Sequence, residues 1–281
     1  MNIASSKEVT PDHDPSLYTK FRTAEFVDDI IEVDENAIRF FHAHGYLAIS
    51  QAIPIALTSA GENAIDDLID GQRKDFRGVQ FESGLGEKAN LTNDQRRLGV
   101  RKLMNFVGFD DRLLALAEYP PIIEIVEKIL GATAKLFQDM ALLKPPLNGR
   151  EKPWHQDCAY FNIPLNTPVV GVWIALDEAT INNGALHVIP GSHTEGPVNH
   201  FKRRDWQICD SDVPLDRDVA VPLKPGGVLF WHGMTQHGSP TNRSNKRRRA
   251  LQLHYKPSNV LEITTEDRMS IFGGDVRGAI C

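Results

Sequence analysis

The chain has 281 residues, 41% hydrophobic and 24% charged, with a formal net charge of −6. That is an ordinary globular composition, long enough to bury a large core in one β-rich domain or two small ones. The acidic balance gives no reason to expect nucleic acid or a membrane surface as a partner, and no apolar run reaches the roughly 18 residues of a transmembrane helix.

Residues 1–17 are polar, carry Asp, Glu and Pro, and lack an apolar centre, so they read as a flexible tail rather than a secretory signal. A single domain is expected over residues 18–281. Asp34 is placed to cap a helix through residues 36–41, with Ile38 and Phe41 on one face, and Gly45 to stop it. Residues 46–49 then read as a strand. Thr58 or Ser59 is expected to cap a second helix carrying Ala64, Ile65, Leu68 and Ile69. Residues 76–94 mix Gly, Asn and charged residues without a period and read as a long loop, a candidate lid over a substrate. Two short helices, at 113–117 and 122–130, are separated by Pro120-Pro121, and Gly131 ends the second.

Strand patterns dominate the rest, at 135–143, 169–176, 186–189, 219–223, 228–231 and 250–255. Turn residues divide them, among them Asn182-Asn183-Gly184, Pro190-Gly191, Pro225-Gly226-Gly227 and Gly238-Ser239-Pro240. Many short strands with regular turns predict a mainly β fold of the jelly-roll kind, with the earlier helices on one outer face. No repeat or composition break marks a second domain. Cys158, Cys209 and Cys281 are too few and too scattered for a disulfide framework or a zinc knuckle, so reduced thiols in a cytoplasmic protein are expected.

Trp154-His155-Gln156-Asp157 carries the first chemical signal. On extended backbone, residues i and i+2 point to one side, so His155 and Asp157 offer an imidazole and a carboxylate to one point while Gln156 points away. By itself His-x-Asp also fits a surface turn. A second histidine from a late strand would complete a two-His, one-carboxylate set with open positions, the arrangement of non-heme iron oxygenases. His237 lies in such a place, just after the strand that follows Pro225-Gly226-Gly227, and His232 is its rival. His13, His42, His44, His187, His193, His200 and His254 read as surface or packing residues.

A basic run, Lys246-Arg247-Arg248-Arg249, precedes Ala250-Leu251-Gln252-Leu253-His254-Tyr255. A solvated loop is the plain reading of such a run. Alternation says more: Arg249 shares a face with Leu251, Leu253 and Tyr255, whereas Arg248 shares the opposite, polar face with Ala250, Gln252 and His254. A guanidinium on an interior face needs an anionic partner, and a dicarboxylate could supply it while its other end reaches a metal. Similarly, Val170, Val172, Ile174 and Leu176 form an apolar face suited to packing on helices. Trp173, between Gly171 and Ala175, either projects into a cavity or fills the core.

These motifs, in this order, resemble the phytanoyl-CoA dioxygenase family of 2-oxoglutarate-dependent oxygenases. The resemblance spans roughly residues 102–255. Its anchors are His155-Gln156-Asp157, Asn183-Gly184-x-Leu186, Ile189-Pro190-Gly191-Ser192-His193, and His237-Gly238-Ser239 followed by Arg248. It implies a double-stranded β-helix of the cupin-like kind. It also implies His237 rather than His232 as third metal ligand, Ser239 and Arg248 as holders of the cosubstrate's C5 carboxylate, and Lys102, Met140, Trp173 and Gln156 as further cosubstrate neighbours. The implied chemistry uses Fe(II), 2-oxoglutarate and O2 to oxidise a small-molecule substrate, releasing succinate and CO2. Related halogenases have a small residue at the position of Asp157, so the carboxylate favours hydroxylation or another oxidation. The competing expectations are a cupin-type metalloenzyme that does not use 2-oxoglutarate and a non-catalytic barrel that binds a small molecule or a partner.

Overall fold

Local chemistry sets the helix ends. In the computed structural model, which describes residues 12–82 and 91–281, the Asp34 carboxylate accepts from the N–H groups of Asn36 and Ala37 and opens helix α1 (Glu35–His44). Gly45, at φ 76°, closes it with its N–H on the Phe41 carbonyl. The second helix starts earlier than Thr58 or Ser59, at Ile55 after Pro54. Thr58 already lies inside its first turn, and its hydroxyl donates to the Pro54 carbonyl instead of capping.

In chain order the first half runs β1 (Arg22–Thr23), β2 (Phe26–Asp29), α1, β3 (Tyr46–Gln51), α2 (Ile55–Ile69), β4 (Val79–Phe81), α3 (Asn93–Gly99), β5 (Val100–Met104), α4 (Asp111–Ala117) and α5 (Pro120–Leu130). The second half supplies β6 (Ala134–Lys144), β7 (Lys152–His155), β8 (Val170–Ala175), β9 (Leu186–Val188), β10 (His200–Lys202) and β11 (Trp206–Ile208). It ends with β12 (Val219–Val221), β13 (Val228–His232), β14 (His237–Ser239), β15 (Arg248–Pro257) and α6 (Thr265–Phe272). Eight strands form a large sheet in the order β2-β3-β13-β8-β15-β6-β5-β4, and five form a small sheet in the order β1-β12-β9-β14-β7. β10 and β11 pair as a separate ribbon. The result is a jelly roll of two sheets rather than a closed barrel.

Alternation along the strands decides the layers. Val170, Val172 and Ile174 of β8 and Leu251, Leu253 and Tyr255 of β15 join Ile38, Ile65, Leu116 and Val126 of the helices in one buried core. Each fully buried side chain of this size contributes about 1.5–3 kcal/mol. The Tyr255 hydroxyl also donates to the Ala117 carbonyl at 2.6 Å, tying β15 to the end of α4. On the other face of the large sheet, Trp173, Ala175, Leu229, Trp231 and Ala250 meet Leu186, Val188, Val219 and Val221 of the small sheet. The site described below lies in this inter-sheet space.

Three expectations need correction. Residues 12–17 are not a loose tail: Asp14 caps a 3-10 turn over Pro15–Tyr18, His13 and Leu17 are buried, and Tyr18 stacks on Trp154 at 5.5 Å. Apolar area close behind the polar stretch gives it something to bury; residues 1–11 lie outside the described residues. The 76–94 segment is not all loop, because β4 and the start of α3 fall within it and the Thr92 hydroxyl caps α3 through the Gln95 N–H. Its centre, 83–90, lies outside the described residues, and with it the expected lid. The cysteines are not all thiols: Cys209 and Cys281 form a disulfide across 72 residues, leaving Cys158 free and buried. The Gly274 N–H bonds the His200 carbonyl and brings the chain end back beside β10, a return that spacing along the sequence cannot show. No described helix is long and apolar enough to cross a membrane.

Candidate metal centre

β7 and β14 are neighbours in the small sheet, and His155 and His237 are direct antiparallel partners. Their rings lie 4.2 Å apart between centroids. Extended backbone at Gln156 then returns the next side chain to the same side, so Asp157 joins them. Asp157 Oδ1 is 3.4 Å from His155 Nε2, and Oδ2 is 3.6 Å from His237 Nε2. The three ligand atoms lie within 4.8 Å of one another, the one such group among the described residues. His232 stands elsewhere, 5.3 Å from the ring of His193, with its Nδ1 accepting the Met234 N–H.

The hydrogen bonds prepare both rings as ligands. His155 Nδ1–H donates to the Pro153 carbonyl at 2.8 Å, and His237 Nδ1–H donates to the Thr235 carbonyl at 2.9 Å. A carbonyl can only accept, so each Nε2 keeps its lone pair and turns it toward the cluster. Burial, with His237 and Lys152 nearby, pushes His155 down to about 3. Burial lowers His237 as well, against the opposing pull of Asp157. Burial alone would raise the Asp157 carboxyl, but His237, His254 and the surrounding hydrogen bonds outweigh it and hold it well below the ordinary carboxylate range. Two neutral imidazoles and one carboxylate with open positions make a donor set that suits Fe(II).

Two neighbours of Asp157 were not picked out by sequence reasoning. Trp231 Nε1–H donates to Asp157 Oδ2 at 2.7 Å, and His254 Nε2 bonds the same oxygen at 2.9 Å. Alternation had put His254 on the inner face with Arg248, but it could not say what lay opposite. Gln156, grouped with the cosubstrate neighbours, has a different part. Its side-chain amide donates to the Gly196 and Met234 carbonyls and accepts from the Val198 N–H, so it braces the loop behind the ligands. The pleat that sends His155 and Asp157 inward sends Gln156 away.

A cationic cavity adjoins the small sheet. Arg248 lines it with Arg101, Lys102, Lys144, Arg150, Lys152 and Ser239. Most of these cations are already engaged. Arg101 and Arg150 pair with Glu82, Lys152 pairs with Asp205, and Lys144 donates to the carbonyls of Arg150, Ser239 and Pro240. Arg249, on the helix side, is neutralised by Asp177, Glu62 and Asp66. Arg248 is 1% exposed, and its guanidinium lies 5.3 Å over Trp173. One nitrogen donates to the Leu142 carbonyl at 3.1 Å, while Nε has no partner among the described residues. Burial pushes Arg248 down to about 9, only partly offset by Asp177. Lys102 is likewise pushed down to about 8 by burial, with Lys152 adding to the effect. Neither forms an ion pair among the described residues. Met140 and Trp173 are both register partners of Gln252, which stands between Arg248 and His254 along β15. Thus Trp173, Met140, Lys102 and Arg248 share the inner face of the large sheet, Ser239 lines the cavity from the small sheet, and Gln156 stands apart from them.

The family profile described as Phytanoyl-CoA dioxygenase (PhyH) matches residues 41–250. A probable phytanoyl-CoA dioxygenase of Caenorhabditis elegans is 26% identical over 261 residues, covering 83% of this chain and 80% of its own. The peroxisomal phytanoyl-CoA dioxygenase of Bos taurus is 30% identical over 245 residues, covering 81% and 70%. Among solved structures, EvdO2 from Micromonospora carbonacea var. aurantiaca, complexed with 2-oxoglutarate, superposes with a TM-score of 0.64 at 25% identity over 83% of this chain and 94% of its own. The α-ketoglutarate-dependent carbocyclase SnoK shares the fold, with a TM-score of 0.67 at 21% identity over 85% and 90%. A match that spans both the helical first half and the strands bearing His155, Asp157 and His237 places this chain in the phytanoyl-CoA dioxygenase family.

Proposed function

We propose that the protein is an Fe(II)- and 2-oxoglutarate-dependent dioxygenase that hydroxylates or otherwise oxidises a small-molecule substrate, releasing succinate and CO2. The observation that carries this reading is Arg248: a buried guanidinium on the inner face of the large sheet, its Nε without a partner among the described residues, across the inter-sheet space from the small sheet that bears the two-His, one-carboxylate cluster. A buried cation without an anion is unfavourable, and a dicarboxylate bound at its far end by arginine supplies the missing charge.

In this reading His155, Asp157 and His237 hold the iron, which, when bound, supplies the O2-dependent decarboxylation of 2-oxoglutarate and the oxidation of a substrate C–H bond. Arg248 and Ser239 bind the C5 carboxylate, and Lys102 adds a second positive charge. Trp173 fixes the guanidinium plane from one side, and Met140 supplies an apolar wall on the same face. Burial of the ligands keeps bulk water from the reacting centre. Asp157 occupies the position that a halide would need, which favours oxygen transfer or desaturation over halogenation. Residues 18–281 act as one catalytic unit.

The test is succinate formation from 2-oxoglutarate by purified protein with Fe(II) and ascorbate, with and without a panel of small-molecule substrates. Turnover that requires both Fe(II) and 2-oxoglutarate supports the reading. Metal binding without any 2-oxoglutarate binding would instead indicate a metalloenzyme of the same fold with another cosubstrate.

A further inference from the structure

We infer that Trp231 and His254 are positioning residues that restrict Asp157 to metal coordination through one oxygen. The inference rests on the proposed iron site and goes beyond its ligand set.

The two groups reach the carboxylate from the opposite sheet. Asp157 follows β7 of the small sheet, whereas Trp231 is on β13 and His254 on β15 of the large one. Both bond Oδ2, at 2.7 and 2.9 Å. A carboxylate has no proton to give, so His254 contributes Nε2–H, as the indole contributes Nε1–H. His254 Nδ1 is left buried without a partner among the described residues, the cost of aiming the other nitrogen at Asp157. Two N–H donors use the lone pairs of Oδ2. Oδ1, facing His155 Nε2 at 3.4 Å, remains for a metal.

The strand register explains how two large rings converge on one atom. Gly171 of β8 is the register partner of both Trp231 and His254. Across three adjacent strands the row therefore reads large, absent, large. A Cβ on Gly171 would lie 2.3 Å from Trp231 Cε2, so the indole occupies the space that any other residue would take. The two rings meet edge to face at 5.7 Å, and Phe161 stands 5.0 Å from the imidazole. The clamp is thus packed from several sides, and its rings have little freedom to turn away from Asp157.

The chemical consequence concerns coordination number. Two imidazoles and one carboxylate oxygen would leave open positions on a bound metal for a cosubstrate and O2. A carboxylate bound through both oxygens would take one of those positions.

The experiment compares wild type with Trp231→Phe, His254→Leu, the double variant and His254→Gln, which keeps an N–H donor. Anaerobic Co(II) titration, without 2-oxoglutarate, gives the metal Kd, and the Co(II) absorption spectrum reports the coordination environment. Circular dichroism checks folding. The expected result is a Kd weakened roughly 10-fold in each single loss variant and about 100-fold in the double, with an altered Co(II) spectrum. His254→Gln is expected to stay within about 3-fold of wild type, a rescue that simple core packing would not give. A folded double variant with unchanged Kd and spectrum overturns the clamp. Wild type that binds no divalent cation overturns the iron site and the clamp together. Wild type that binds Co(II) but not 2-oxoglutarate removes the cosubstrate reading while the variants still decide the clamp.

Discussion

Removing Arg248 should separate cosubstrate binding from folding. Its guanidinium is fully buried, and among the described residues it makes one hydrogen bond and forms no ion pair. Burial holds it down at about 9, an unfavourable charge term on the order of 5 kcal/mol. The sign follows from the direction: the charged form is disfavoured by folding, so the penalty is fully present at neutral pH and fades only as pH rises above about 9. Arg248→Ala removes that penalty along with some packing against Trp173, so the apo variant is expected to fold with a Tm close to wild type. Binding is where the loss appears. Truncating one partner of a buried charge pair costs about 2–5 kcal/mol, and the remaining Lys102 keeps the figure near 2–4. That corresponds to a 2-oxoglutarate Kd weakened roughly 30- to 700-fold. Calorimetric titration in the presence of a redox-inert metal measures it, and the Tm rise that 2-oxoglutarate gives wild type should vanish. An Arg248→Ala protein that keeps its 2-oxoglutarate affinity would refute the assignment, and with it the argument from the unpaired guanidinium.

Lys102, pushed down to about 8, should lose its charge as pH rises through that value. The Kd for 2-oxoglutarate is therefore expected to weaken about 3- to 10-fold between pH 7 and pH 9, with Lys102→Met showing a clearly shallower profile over the same range. Gly171→Ala places a methyl within 2.3 Å of the Trp231 ring, so a destabilisation of about 1–3 kcal/mol and a weakened Co(II) Kd are expected. Unchanged metal affinity would show that the indole does not depend on that gap. The Cys209–Cys281 disulfide closes a span of 72 residues, for which chain entropy gives about 4 kcal/mol as an upper figure. A thermal melt with and without reductant should show the drop, and Cys281→Ser should abolish the difference.

What the sequence disclosed follows the range of the forces involved. Asp34 and Gly45 bound α1 because caps act within three or four residues. His155 and Asp157 converge because backbone alternation is a two-residue rule, and the same rule sorted Arg248 from Arg249 correctly: one meets the inter-sheet space and the other the carboxylates of α2. Alternation gives direction but not destination. It set His254 beside Arg248 on the inner face, yet Asp157, 97 residues away, is reached only when the two sheets pack. Trp231 reaches the same atom across 74 residues. The cysteine pair is a similar case, since its closure depends on the chain end returning past β10.

Gln156 shows the converse case. Its alternation already pointed it away from the metal, and resemblance alone placed it with the cosubstrate; the carbonyls of Gly196 and Met234 take its amide donors. Gly171 lies between the two kinds of information. As the small residue before Trp173 it is visible in the strand pattern, but its purpose is not, because one side chain must be missing there for two on adjacent strands to meet. That requirement is a property of register, fixed by three strands at once. A residue whose function is to be small therefore leaves no local signature, and only the paired strands reveal what it makes room for.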